Sequence, residues 1–150
     1  MNENINNELV TVDNETGEIL NTSNPYNQLS TYTPESQDDK IKLYNLLHGD
    51  GSTAKPFRNS INQVLQVDHV ITNPYTNKKE QEHGVISYLH DTKSNEWYVT
   101  SSKTVYYNLM NMFNVFGESS EDNVFELKIT SERKQNGEQI SLELIGVHTK

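Results

Sequence analysis

Single-stranded nucleic acid is bound by flat aromatic faces on which bases stack and by cations that follow the phosphates. This chain spaces both kinds of residue along its second half. Tyr75, Tyr88, Trp97 and Tyr98 are the aromatic candidates. Trp97 and Tyr98 are adjacent on a predicted strand, so they point to opposite faces and only one can lie on a binding surface. Trp97 is the choice, against the competing reading of a core tryptophan. The cationic candidates are Lys78 and Lys79 in one predicted loop, Lys93 in the next, Lys128 on a strand, and Arg133 and Lys134 in the last hairpin. The competing reading for these is ordinary solvated hairpin ends.

Other chemistries find little support. The five histidines, His48, His69, His83, His90 and His148, show no helical metal spacing such as His-Glu-x-x-His. There is no cysteine, hence no disulfide and no thiolate metal site. No serine sits in a Gly-x-Ser-x-Gly elbow, and Gly49-Asp50-Gly51-Ser52 lacks the Gly-Lys-Ser/Thr ending of a phosphate loop. The expectation is a non-enzymatic protein with no metal and no cofactor.

The formal charge of −9 is unusual for a nucleic-acid binder, but it is unevenly distributed. Residues 1–40 hold 8 acids against Lys40 alone, leaving 13 acids and 11 bases for residues 41–150, a nearly neutral remainder. No apolar stretch approaches the roughly 20 residues that span a bilayer, and the polar N-terminus MNENINNELV lacks the basic region of a secretory signal. Absence of cysteine fits a reducing cytoplasm.

The elements that must position these side chains follow from the apolar pattern. Residues 1–32 are rich in Asn, Glu, Ser and Thr, and are expected to form a flexible acidic segment. A hairpin of Leu9–Val12 with Glu18–Leu20, turning at Gly17, is the local alternative. The segment is expected to act as a solubiliser, to compete with nucleic acid for the basic groove, or to dock a replication partner. The domain proper covers 33–150. Thr33-Pro34-Glu35 opens a helix over 34–48, capped by Thr33, with Leu43, Leu46 and Leu47 as its stripe and Gly49 at its end. Strand one runs over 61–72, with a bulge near Asp68-His69 where the apolar alternation breaks. Asn73–Lys79 reads as a loop. Strands two and three cover 84–90 and 96–101. A helix capped by Ser101 or Ser102 follows, with Val105, Leu109, Met112, Phe113 and Phe116 on one face and Gly117 at its end. Strand four alternates through Phe125, Leu127 and Ile129, and strand five through Ile140, Leu142 and Leu144, about an Asn136-Gly137 turn.

Three strands, a helix and two more strands is the order of an OB-fold. The fold class expected is all-β with helices: a five-stranded Greek-key barrel with a helix between strands three and four and an extra N-terminal helix. The run Ser30–Leu47, the strand motif Val67-Asp68-His69-Val70-Ile71, the helix ending in Phe116-Gly117-Glu118 and the closing Leu142-Glu143-Leu144 resemble a family of small single-stranded DNA-binding proteins. That family is encoded by phages and mobile elements of Gram-positive bacteria. The resemblance covers about 30–147 and implies an OB-fold that coats single-stranded DNA in phage or plasmid replication or recombination. Replication or recombination proteins would be further partners, in the host cytoplasm. It implies no catalytic residue. The alternative from another class is an acidic protein-interaction module, or a DNA mimic that inhibits a host protein.

Overall fold

The computed structural model describes residues 11–12, 19–20, 24–49, 53–135 and 137–150. It is mostly β: a curled, open sheet with two helices. Short strands β1 (Thr11–Val12) and β2 (Ile19–Leu20) pair antiparallel. The residues between them, where the hairpin turn was expected, lie outside the described residues. The main sheet contains β3 (Leu29–Ser30), β4 (Ala54–Pro56), β5 (Val64–Asn77), β6 (Glu82–Asp91), β7 (Glu96–Thr100), β8 (Asn123–Lys134) and β9 (Gly137–Thr149). Its order is β4-β7-β6-β5-β8-β9, with β3 also on β5. Helix α1 (Gln37–His48) precedes β4, and α2 (Lys103–Phe116) lies between β7 and β8.

Seven strands replace the five expected, because β3 and β4 add short pairings at the margins. No ladder joins β9 to β7 or β4 among the described residues, so the sheet remains open. Helix α2 lies against β9. Ser102 caps α2 by accepting from the Val105 amide at 3.2 Å, and its hydroxyl donates to the Ile140 carbonyl on β9 at 2.7 Å. Asn108 accepts the Leu142 amide at 3.0 Å. Backbone groups that a neighbouring strand would otherwise pair are thus satisfied from the helix.

The main core lies inside the curl. Leu65, Val67, Val70, Leu89, Tyr98 and Leu127 meet Val105 and Leu109 of α2 there. The expected α2 stripe holds at Val105 and Leu109, whereas Phe116 at the last turn is exposed. Tyr106 is buried instead, edge-on to Tyr26 at 5.1 Å. Residues 24–32, counted with the acidic segment in the sequence reading, lie against the sheet. Thr72 donates to the Asn27 carbonyl, and the Thr31 amide donates to Val70.

Three boundaries differ from expectation. Helix α1 starts at Gln37 because Ser36, not Thr33, takes the capping role by accepting from the Asp39 amide at 3.0 Å. Strand β5 continues through Asn73–Asn77, read from sequence as a loop, because that run pairs with β6 down to Asn77↔Glu82. Pro74 is tolerated because β3 ends its pairing at Thr72, leaving that side of β5 as an edge where a missing N–H costs nothing. Lys134 pairs with Gly137, so Gly137 belongs to the strand (φ 116°) rather than to the turn.

Candidate functional site: the outer face of β5, β6 and β7

The register determines which side chains share the convex face. Asp68 is the extra residue of a bulge: Val67 pairs with Asp91, and the next pair is His69↔His90. That single insertion turns His69, Ile71, Asn73 and Tyr75 outward. Opposite them on β6 stand His90, Tyr88, Ile86 and Gly84, and on β7 stand Trp97 and Val99. The face therefore reads in rows: His69–His90–Trp97, then Ile71–Tyr88–Val99, then Asn73–Ile86, then Tyr75–Gly84.

Tyr75, Tyr88 and Trp97 thus lie on one face, while Tyr98 points inward and is wholly buried (0% exposed). Their accessibility differs. Trp97 is half-buried, with Tyr32 edge-on at 5.5 Å and His90 at 5.0 Å. Tyr75 is 44% exposed on β5, not in a loop, and its ring lies over Gly84 where a Cβ would collide with it. Tyr88 is only 7% exposed, because Leu46 of α1 packs in the same cluster, with Leu43 and Leu47 beside it. The amphipathic stripe of α1 thus covers the middle of this face.

The cations are more scattered. Lys93 lies in the β6–β7 turn at the Trp97 end of the face, and Lys78 and Lys79 lie in the β5–β6 turn at the Tyr75 end. Lys128 is on the outer side of β8, opposite Val64 and Glu143. Arg133 and Lys134 continue β8 past its last pairing with β5, at the opposite end of β5 from Lys78, and Lys134 is bonded to Glu132 at 2.7 Å. The ladder therefore groups Lys93, Lys78 and Lys79 with the aromatic face and puts the final hairpin elsewhere.

At the open end of the face is a cavity of about 460 Å³ between α1 and the first row. Tyr32, His69, His90 and Trp97 supply its flat walls, and Lys42 and Asp39 of α1 its far side. Asp68 Oδ1 accepts from His90 Nδ1 at 2.8 Å, while His90 Nε2 meets Asn95 Oδ1 at 2.9 Å. Burial disfavours charge on His90, but the Asp68 hydrogen bond and charge, with help from Asn95 and Asp91, outweigh it and raise its pKa above the usual histidine value. His69 Nδ1 is 3.1 Å from the Thr31 carbonyl, so its Nε2 faces Asp68 and Glu121, each 3.7 Å away. Asp91 is structural: it accepts the Gln66 amide and Ser94, fixing the turn beside the bulge.

Tyr32, Asp68, His69 and His90 were missed as site residues in the sequence. The broken alternation at Asp68-His69 was their only trace. Among the described residues, no cluster of histidines and carboxylates has the geometry to hold a metal ion, and no helix is long and apolar enough to cross a membrane. Comparison with known proteins finds no matching family model, no similar curated protein and no similar solved structure.

Proposed function

We propose that the protein binds single-stranded DNA without strong overall sequence preference, through the outer face of β5, β6 and β7. It acts without catalysis. The observation that supports this most is the sharing of one face by Trp97, His90, His69 and Tyr75, with lysines at both ends. Strand β6 has ten residues, so at a rise of about 3.4 Å each the face is roughly 30 Å long. Helix α1 covers the row between, so a single strand reaches the Trp97 end and the Tyr75 end around the helix, and the two ends together suit the several nucleotides bound by one OB-type domain. In this reading the five long strands are those of an OB-fold and α2 covers its seam. The biological setting is phage or mobile-element replication or recombination, in the host cytoplasm, with replication or recombination proteins as further partners.

Trp97 and Tyr75 are the stacking residues, and Tyr88 is the floor beneath α1. Lys93, Lys78 and Lys79 follow the phosphates, whereas Lys128, Arg133 and Lys134 are secondary. The test is a fluorescence-anisotropy titration of labelled single-stranded and duplex oligonucleotides over a range of salt. Saturable binding of the single strand that weakens steeply with salt supports the reading. A second reading, an acidic docking module or DNA mimic, draws on Asp39, Asp68 and Glu121 around the cavity; it predicts no DNA binding at any salt.

A further inference from the structure

We propose that the cavity between α1 and the His69–His90–Trp97 row is a subsite for one unstacked nucleobase that presents an amino edge, such as that of cytosine. The inference rests on the single-strand reading and gives it a local preference it otherwise lacks. Three observations carry it. The first is shape. The cavity, of about 460 Å³, is walled by the rings of Trp97, Tyr32 and the two histidines, and aromatic walls take the π-face of a base.

The second is an unused acceptor. Asp68 is 8% exposed, and Oδ1 is occupied by His90. Oδ2 makes no hydrogen bond among the described residues; His69 Nε2, at 3.7 Å, is too distant. Asp68 itself lines the cavity. A carboxylate oxygen accepts well from the exocyclic amine of cytosine. Thymine offers there an N–H flanked by two carbonyl oxygens, which a carboxylate repels.

The third is the placement of charge. Asp39, Asp68 and Glu121 make the cavity a poor place for a phosphate. Lys42 also lines it, from α1, and Lys93 is two residues from Asn95 in the β6–β7 turn. A base can enter while its phosphates stay outside near the lysines. Helix α1 is then one wall of the subsite as well as a cover over Tyr88.

The experiment titrates the intact protein with free cytidine, thymidine and arginine amide in parallel, reading Trp97 fluorescence and the NMR signals of the His69 and His90 rings. Cytidine is expected to give saturable changes at both probes. Thymidine is expected to bind at least about 5-fold more weakly, the equivalent of one lost hydrogen bond. Asp68→Asn should reduce the cytidine preference to near parity; the wild-type comparison stands without it if that variant folds poorly. Equal response to the two nucleosides, or none to either, overturns the subsite. Response to arginine amide alone also overturns it and assigns the cavity to a basic protein partner. If oligonucleotides still bind while nucleosides do not, only the subsite has failed; if neither binds, the single-strand reading fails with it.

Discussion

Leu46→Ala should loosen α1 from the sheet. Leu46 is the one buried side chain of α1, in a cluster with Ile71, Tyr88 and, at its margin, Trp97. Truncating a buried leucine costs about 2–5 kcal/mol by lost transfer and residual cavity. This site is at a helix–sheet margin that can collapse, so about 2–3 kcal/mol is expected. Much of that should appear as local opening of α1 rather than global unfolding, since the main core inside the curl does not involve Leu46. Trp97 is the chain's single tryptophan, so its emission reports this cluster alone. The variant should show red-shifted, more quenchable emission before the main urea transition, and faster amide exchange over 37–48. Unchanged emission with a single transition at lower urea would mean that α1 is not a separable cover, and would refute the reasoning.

The Asp68–His90 pair predicts a pH dependence of definite sign. The folded-state pKa of His90 is raised, so its contribution is fully present below the unfolded value of about 6.5 and is lost as pH rises through the folded value. Urea midpoints of wild type and His90→Gln measured across that range should converge on the alkaline side; a constant gap would contradict the assignment. Ser102→Ala removes both the α2 cap and the donor to Ile140, and should cost about 1–2 kcal/mol in chemical denaturation. Gly84→Ala should push the Tyr75 ring off the strand, since a new Cβ would overlap it. Stability should change by less than about 1 kcal/mol, while ring-proton NMR shifts of Tyr75 move and oligonucleotide affinity falls.

Long, cleanly alternating strands were readable. Phe125, Leu127 and Ile129 gave β8, and Ile140 and Leu142 gave most of β9, because one face of each is buried and the other wet. The bulge was readable for the same reason in reverse: alternation broke at Asp68-His69. Pro74 and the asparagines around it misled, since turn-type residues sit in a strand that, beyond Thr72, pairs only with β6 among the described residues. The stripe of α1 identified a helix but not what it covers, because an apolar stripe carries no address. Asp68 and His90 are 22 residues apart and meet only through strand register, which periodicity cannot reveal. Lys78-Lys79 and Arg133-Lys134 both read as basic hairpin ends, yet the ladders put them beyond opposite ends of β5, a separation that sequence spacing does not carry.

The most direct test of the central claim is the affinity of Trp97→Ala for a mixed-sequence single-stranded oligonucleotide at moderate salt, with circular dichroism verifying the fold. A stacking tryptophan contributes about 1–3 kcal/mol per base, so the account predicts a loss of roughly 5- to 150-fold in affinity. A variant that folds normally and binds as tightly as the wild type would contradict the assignment of this face as the binding surface.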